Sequence, residues 1–224
     1  MEGKKCKIKF CGMRDNPTVA YAVDLKVNYI GFVVDFSKSP RSVSIAEFHR
    51  KVKWLRSNHD GNYKVVAVTV DMPLDNLEFM IDTGMADVIQ LHGNEHISVC
   101  RLVGQQIETW KAVNAKDVKG FEEISGMAES VDKILLESGS AIEKAKNTSG
   151  AFTNEELYHS LVKQGYDVVL SGGLDAGNIA HYLETLNPRI IDVSRGIESE
   201  PGVKSKQKMR EFMDVVNRFY SDEK

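Results

Sequence analysis

Two residues of this sequence carry side chains that can move protons and stand directly after apolar segments. Cys11 follows one such segment and precedes Gly12, and Glu137 follows another. A thiolate acts as a base or nucleophile where nearby charges lower its pKa. A carboxyl group buried beside phosphate keeps a proton available for general acid catalysis. A small buried hydrophobe is an equally good interpretation of Cys11, and a structural ion pair is the alternative for Glu137.

Two later segments could hold an anion. Gly172 and Gly173 follow one apolar run, and Ser194, Arg195 and Gly196 follow the next. Small residues let backbone N–H groups approach an anion closely, and the N-termini of short helices add partial positive charge. Tight turns alone would account for a single glycine pair. The two segments together favour a phosphate site.

Three further side chains are candidates for contact with a substrate. Arg41 follows Pro40, and its planar fork can hold a carboxylate through two parallel hydrogen bonds. Gln90 and His92 end another apolar run and are candidate substrate-binding residues. His92 could act as an acid or a base, but the sequence supplies no partner for it, which favours a hydrogen-bonding role.

Eight short apolar runs, rich in β-branched residues, recur along the whole chain. Several are continuous rather than alternating, as in Val65 to Val68, which is typical of parallel strands covered on both faces. The eight runs are Cys6 to Phe10, Tyr29 to Val34, Lys64 to Val70, Asp87 to Leu91, Thr109 to Val113, Lys133 to Leu136, Asp167 to Leu170 and Ile190 to Val193.

Segments with helical spacing of apolar residues separate these runs. Between Ile179 and Leu186, apolar residues recur in the i, i+3, i+4, i+7 pattern, which predicts a helix with one buried stripe. A weak repeat of helix end, turn and strand places Gly84 and Gly165 just beyond two helices. A left-handed backbone, which glycine adopts without cost, is expected at both positions.

Strands that begin about 20 to 35 residues apart and alternate with helices predict eight βα units, which close a (β/α)₈ barrel. No linker or composition shift divides the chain, so one domain over residues 1–224 is expected. The alternative is an open doubly wound sheet, but neither a GxGxxG after the first strand nor a Walker lysine loop is present. The active site of such a barrel lies at the C-terminal ends of its strands, where the candidate residues stand.

Composition and charge limit the expected partners. The formal net charge of −3 is spread with both signs interspersed, so neither nucleic acid nor an anionic membrane is expected. Cys6, Cys11 and Cys100 lack the spacing of a zinc site, so no metal is expected, and they suit a reducing cytoplasm. The highly charged first nine residues do not resemble a signal peptide, which also favours the cytoplasm.

Five ordered motifs carry a resemblance to a known family. They are Lys9-Phe10-Cys11-Gly12, Gly31-Phe32-Val33 with Ser39-Pro40-Arg41, Gln90-Leu91-His92-Gly93, Gly172-Gly173-Leu174, and Asp192-Val193-Ser194-Arg195-Gly196-Ile197-Glu198. From Lys7 to about Phe212 the sequence resembles phosphoribosylanthranilate isomerase of tryptophan biosynthesis. The resemblance implies the Amadori rearrangement of N-(5-phosphoribosyl)anthranilate to 1-(2-carboxyphenylamino)-1-deoxy-D-ribulose 5-phosphate, without metal or cofactor.

The resemblance also implies roles for individual residues. Cys11 matches the family's general base, Glu137 its general acid, and Arg41 the residue that pairs with the anthranilate carboxylate. The glycine-bearing loops after the seventh and eighth strands match the family's phosphate site.

The sequence departs from the family pattern in three places. The family's acid is usually aspartate, so Glu137 is one methylene longer. Ser149 and Gly150 match only part of a glycine-rich phosphate loop. Arg195 stands where the family has a second serine, and it could add a phosphate contact or point to solvent.

Other functions stay open at this point. The nearest is a different isomerase or lyase on the same phosphate-binding barrel. A non-catalytic or functionally diverged homologue that only binds a sugar phosphate belongs to another class. The expected partner in each case is a small phosphorylated molecule, and the chain could be a monomer or a homodimer.

Overall fold

The computed structural model describes residues 5–137 and 155–222, and eight parallel strands within them form one barrel. The barrel strands are β1 (Lys7–Phe10), β2 (Tyr29–Val34), β3 (Lys64–Thr69), β4 (Val88–Leu91), β5 (Glu108–Asn114), β6 (Lys133–Glu137), β7 (Val168–Ser171) and β8 (Ile190–Val193). The helices are α1 (Asn16–Asp24), α2 (Ile45–Asn58), α3 (Leu74–Asp82), α4 (Ile97–Gly104), α5 (Ser125–Ala128), α6 (Glu155–Lys163), α7 (Ile179–Leu186) and α8 (Lys206–Asp222). Phe121–Glu123 and Arg195–Ile197 are short 3₁₀ turns.

The first strand closes the barrel by pairing on both of its edges. Lys9 of β1 lies opposite Asp192 of β8 on one side and opposite Tyr29 of β2 on the other. All remaining neighbours along the barrel are also parallel. An open sheet would leave β1 or β2 at an edge, so the closed barrel is confirmed and the doubly wound alternative is wrong.

The observed strands follow the apolar runs closely. β2 and β8 have the predicted bounds, and the other six differ by one residue at one or both ends. Two short features were not predicted: Ser42–Val43 adds to the edge of β2, and Glu198–Glu200 pairs with Val203–Lys204 in a hairpin. Segments of two or three residues are too short to show a hydrophobic period.

Two apolar layers explain why the strands are buried on both faces. An inner layer fills the barrel and includes Trp110, Leu135 and Val169. An outer layer lies between strands and helices and includes Phe10 of β1 and Phe212 of α8, whose rings meet edge to face with centroids 6.2 Å apart. Since successive strand residues point to opposite faces, each strand serves both layers and reads as a continuous apolar run.

The helices carry one apolar face toward the barrel. In α7 the buried residues are the four that the periodicity predicts: Ile179, Tyr182, Leu183 and Leu186. Ser44 starts α2 through a reciprocal capping box with Glu47. No helix in the described ranges combines the length and the apolar character that a bilayer crossing demands.

Within the described residues, four helices end in a left-handed residue before the next strand begins, and one of these residues is Asn187 after α7, with φ of +43°. Gly84 after α3 and Gly165 after α6 have φ of +61° and +89°, as predicted. At the matching position after α1, Lys26 has φ of +59° although it carries a side chain. The left-handed region costs a non-glycine residue about 1–2 kcal/mol, because Cβ approaches the carbonyl oxygen.

Replacing Lys26 by glycine therefore stabilises the protein. Relief of backbone strain exceeds the extra entropy of glycine in the unfolded chain, so Lys26→Gly should raise the free energy of unfolding by about 0.5–1 kcal/mol. Gly84→Ala is the reciprocal control: nothing lies within 4 Å of an added Cβ there, so only φ changes, and stability should fall. Urea denaturation measures both, and a destabilised Lys26→Gly contradicts the strain argument.

Candidate active site

The predicted site residues in the described part of the chain all stand at or just beyond the C-terminal ends of strands. Because the strands are parallel, these ends share one mouth. Cys11 follows β1, Arg41 lies in the loop after β2, Gln90 lies in β4 with His92 just after it, Glu137 ends β6, Gly172 and Gly173 follow β7, and Ser194, Arg195 and Gly196 follow β8. Ser149 and Gly150 lie outside the described residues.

A fully buried ion pair lies inside the barrel beneath this mouth. The ammonium of Lys9 donates to Asp192 Oδ1 at 3.0 Å and to Gln90 Oε1 at 2.8 Å. Burial alone would lower the pKa of Lys9, but the Asp192 carboxylate and the thiolate form of Cys11 outweigh it and hold that pKa above its ordinary value. The cation is therefore permanent at neutral pH.

The thiol of Cys11 lies directly above this pair and is buried. Burial raises the pKa of Cys11, and the charge of Asp192 raises it further, while Lys9 and Lys204 act in the opposite direction. Gly31 of the neighbouring strand provides the room: a Cβ there would lie 3.0 Å from both Cys11 Sγ and Lys9 Cε. A larger residue at that position would have to displace the thiol and the lysine side chain.

Glu137 and His92 meet across the mouth. His92 Nε2 lies 2.9 Å from Glu137 Oε2, and His92 Nδ1 lies 2.8 Å from Gln90 Nε2. Both side chains are only partly exposed, 23% for His92 and 13% for Glu137. The structure therefore supplies the partners of His92 that the sequence did not reveal. Through His92 and then Gln90, Glu137 is linked to Lys9.

Arg41 lies at the rim of the mouth in a second charged cluster. Its Nε and Nη2 donate to the two oxygens of Glu198 at 2.8 and 2.6 Å, and Lys204 Nζ donates to Glu198 Oε1 at 2.7 Å. Burial would raise the pKa of Glu198, but Arg41 and Lys204 overcome it and hold that pKa below its ordinary value. The fork of Arg41 is thus fixed in place by protein contacts.

Ser194 joins the rim cluster to the backbone of Cys11, which follows β1. Its hydroxyl donates to the backbone carbonyl of Cys11 at 3.0 Å. Lys204 Nζ in turn donates to the carbonyl and the hydroxyl of Ser194, at 2.9 and 3.2 Å. The Ser194 side chain therefore serves the backbone geometry of the mouth.

The glycine-bearing loops have backbones that other residues would not tolerate. Gly172 and Gly173 have φ of +96° and +66°, in the left-handed region. A Cβ on Gly196 would lie 2.0 Å from the carbonyl oxygen of Leu174, so the loops after β7 and β8 are in backbone contact. Asn178 Nδ2 donates to the Gly173 carbonyl at 2.8 Å and holds the first loop. Both loops line one side of the mouth.

Arg195 adds a further guanidinium to this side of the mouth. Its side chain is half-buried, and this burial is the largest cause of its lowered pKa. Repulsion from Arg41 lowers the pKa further, whereas Glu137 and Glu198 raise it. Arg195 is thus within electrostatic range of both the rim cluster and Glu137.

A buried pair on the other side of the mouth holds the loops after β3 and β4 to strand β5. Lys111 Nζ donates to Glu95 Oε2 at 2.9 Å and to the Gly93 carbonyl at 2.6 Å. Glu95 Oε1 accepts the backbone N–H groups of Asp71 and Gly93, at 3.0 and 2.9 Å. These bonds fix the backbone next to His92.

Sequence reasoning gave no role to several of these residues. Lys9, Asp192 and Glu198 stand within the family motifs without a predicted role, and Lys204, Glu95 and Lys111 belong to none of the motifs. The sequence does contain a signal for Lys9 and Asp192, because a charged side chain inside an apolar strand must find a buried partner. Lys9 also stands two residues before Cys11 and therefore points to the same face. Across residues 5–137 and 155–222, no three His, Cys, Asp or Glu side chains are grouped to ligate a metal.

Comparisons with known proteins place this geometry in a family. The sequence model of the N-(5'phosphoribosyl)anthranilate (PRA) isomerase family matches residues 8–215. A relative of that name from Rhizobium meliloti is 33% identical over 218 residues, covering 96% of this chain and 98% of its own. Another from Aquifex aeolicus is 34% identical over 209 residues, covering 92% and 96%.

Solved structures agree on the fold. Phosphoribosyl anthranilate isomerase from Thermus thermophilus matches with a TM-score of 0.78 at 23% identity, over 95% of this chain and 98% of its own. Phosphoribosylanthranilate isomerase from Thermotoga maritima matches with a TM-score of 0.75 at 25% identity, over the same shares. With the sequence matches, these findings confirm the resemblance seen in the motifs, and this chain belongs to the N-(5′-phosphoribosyl)anthranilate isomerase family.

Proposed function

We propose that this chain catalyses the rearrangement of N-(5′-phosphoribosyl)anthranilate to 1-(2-carboxyphenylamino)-1-deoxyribulose 5-phosphate in tryptophan biosynthesis, with Cys11 as general base and Glu137 as general acid. The observation that carries the proposal is that a thiol and a carboxyl group share one barrel mouth in a chain that matches this family over residues 8–215. One solved family member is described in complex with the reduced form of that product.

The acid step opens the sugar ring. Glu137 gives a proton to the furanose ring oxygen while the C1′–O bond breaks, and the anilino nitrogen lone pair forms the C=N bond of a Schiff base. A partly buried carboxyl group at a strand end suits this step because it can approach the ring oxygen out of bulk water. Glu137 is left as a carboxylate.

The base step moves the oxidation level from one carbon to the next. The Cys11 thiolate removes the C2′ proton, and the electron pair shifts through C1′ to nitrogen to give an enolamine. The enolamine tautomerises to the ketone as C1′ gains a proton and the 2′-hydroxyl loses one, and exchange with solvent resets Cys11 and Glu137. C2′ is oxidised and C1′ is reduced within one molecule, so the rearrangement consumes no external oxidant or reductant.

The loops after β7 and β8 are proposed to hold the substrate phosphate. Their glycines allow backbone N–H groups to approach an anion beside the mouth, and Arg195 adds a guanidinium. Ser194, whose hydroxyl donates to the Cys11 carbonyl, is proposed to contribute its backbone N–H. Binding a remote phosphate positions the reacting carbons between acid and base and so lowers the barrier. Ser149 and Gly150 are proposed as further phosphate contacts from the resemblance alone.

Arg41 is proposed to bind the anthranilate carboxylate. Glu198 takes the edge of the guanidinium formed by Nε and Nη2, which leaves the edge formed by Nη1 and Nη2 directed elsewhere. A planar fork can serve two carboxylates at once, one on each edge. The fixed position of Arg41 reduces the entropy lost when the ligand binds.

The partners proposed for the chain follow the same reaction. They are the phosphorylated substrate and, if the chain is a homodimer rather than a monomer, a second copy of itself; the Thermotoga maritima relative is described as dimeric. Nucleic acid and membranes are not proposed as partners. We propose a cytoplasmic location, in keeping with the charge and cysteine content.

Removal of either proton-transfer group should abolish most turnover. Cys11→Ala and Glu137→Gln should each lower kcat by about 10²-fold or more, measured as loss of the substrate's fluorescence. Cys6→Ala is the matched control, since Cys6 is a buried cysteine of the outer layer beside the same strand. Normal turnover by either variant would remove that residue's role, and a wild-type chain that binds the product without turning over substrate would favour the non-catalytic alternative.

The Cys11 thiol should ionise at higher pH than an ordinary cysteine. Burial and the Asp192 carboxylate raise its pKa, so the thiolate appears only as the pH climbs above the usual range. Thiolate absorbance near 240 nm, taken as wild type minus Cys11→Ala, measures the transition. Asp192→Asn should move it to lower pH by removing a negative neighbour. A wild-type midpoint below that of a free cysteine contradicts this account.

Loss of the Arg41 fork should act mainly on binding. Arg41→Lys keeps a cation beside Glu198 but cannot offer two parallel N–H groups, so KM should rise about 10-fold with a smaller change in kcat. Steady-state kinetics separates the two constants. Unchanged KM would confine Arg41 to its structural pairing with Glu198.

A further inference from the structure

Gln90 is a fully buried amide between a cation and an imidazole. It has no exposure to solvent, and both ends of its amide make hydrogen bonds within the barrel. One end lies 2.8 Å from Lys9 Nζ and the other 2.8 Å from His92 Nδ1. A buried side chain used at both ends acts on its neighbours rather than on a ligand.

The ammonium of Lys9 determines which way the amide points. An ammonium group has three donors and no acceptor, so the atom of Gln90 that faces it must be the carbonyl oxygen. Lys9 is held in place by its second bond, to Asp192 Oδ1 at 3.0 Å. The amide nitrogen of Gln90 must then face His92, and a flip of the amide would set N–H groups against the ammonium.

The orientation of Gln90 determines where His92 carries its proton. The amide N–H donates to Nδ1, so Nδ1 must be the acceptor and the ring proton must lie on Nε2. That N–H is directed at Glu137 Oε2, 2.9 Å away. A proton on Nδ1 would oppose the Gln90 N–H and break this chain of hydrogen bonds.

The backbone on either side of His92 is also held. Lys111 Nζ donates to the carbonyl of Gly93 at 2.6 Å, and the backbone N–H of His92 donates to the carbonyl of Thr69 at 2.8 Å. The imidazole ring is therefore fixed both at its backbone and at each ring nitrogen.

We infer that Lys9 and Gln90 are positioning residues that hold His92 in its neutral Nε2–H tautomer, so that His92 in turn orients Glu137 for proton transfer. This inference rests on the proposed function, in which Glu137 is the general acid. It gives Gln90 a role in catalysis without any contact with the substrate.

The tautomer determines how His92 acts on Glu137. The Nε2–H group donates to Oε2 and so holds the carboxyl group in one orientation for transfer of its proton to the ring oxygen. His92 neither gains nor loses a proton in the step. As Glu137 becomes a carboxylate, the bond from Nε2–H becomes charge-assisted and strengthens. His92 therefore stabilises the transition state more than the ground state, which raises kcat.

The tautomer can be read directly from the ¹⁵N chemical shifts of the histidine ring, because protonated and unprotonated nitrogens resonate far apart. In ¹⁵N-histidine-labelled protein, the His92 signals are those that disappear in His92→Asn. The wild-type chain without substrate should show a protonated Nε2 and an unprotonated Nδ1. An Nδ1–H tautomer or an imidazolium at pH 7 would overturn the inference without reference to activity.

Gln90→Glu tests the same link by reversing one hydrogen bond while keeping the shape of the side chain. A carboxylate still accepts from Lys9 but must also accept from His92, so the ring proton should move to Nδ1 or a second proton should bind. The kcat value should fall about 10²-fold, the typical loss when one donor to a developing charge is removed, with KM changed far less. Gln105→Glu, an exposed glutamine after α4, is the matched control.

The outcomes separate this inference from the proposed function. A shifted ¹⁵N pattern with unchanged kcat in Gln90→Glu would overturn the link from tautomer to catalysis. An unshifted pattern would overturn the role of Gln90 itself. Absence of turnover by the wild-type chain would overturn the proposed function, and the ¹⁵N pattern, which needs no substrate, would still decide whether Lys9 and Gln90 set the tautomer.

Discussion

A lysine ammonium lies inside the barrel with no exposure to solvent, and a charge in that position must be surrounded by acceptors. Asp192 supplies the opposite charge and Gln90 supplies an amide oxygen. Removing one partner of such a pair typically costs about 3–5 kcal/mol, because the other charge is left buried and uncompensated. The requirement of Lys9 for acceptors therefore constrains the side chains above it, from the Cys11 thiol to the amide that faces His92.

The mouth contains two charged systems with different tasks. The inner one, built on Lys9 and Asp192, lies beneath the thiol and affects its ionisation. The outer one, built on Arg41, Glu198 and Lys204, fixes a guanidinium at the rim. Lys204 connects the outer system to the backbone of Cys11, since it bonds to Glu198 and to Ser194, whose hydroxyl donates to the Cys11 carbonyl. The base and the rim are thus held in one network.

The environment of Cys11 affects two opposed properties of a general base, its strength and the fraction of it that is ionised. A base with a raised pKa binds a proton more strongly once it is ionised, but it is ionised less often. Burial and Asp192 favour the thiol, whereas Lys9 and Lys204 favour the thiolate. Two fixed cations near a buried thiol are the arrangement by which a protein can keep a strong base accessible in an apolar interior.

The sequence by itself determined the fold and the end of the barrel at which the site lies. Apolar runs at the spacing of βα units predict parallel strands, and residues that follow such runs must share one mouth, so Cys11, His92 and Glu137 could be assigned to it. Only the tertiary structure decided which side chains bond to which. Lys9 and Gln90 are 81 residues apart, and Arg41 and Glu198 are 157 apart. Their contacts depend on barrel closure, strand register and rotamers, which hydrophobic periodicity along the chain does not encode.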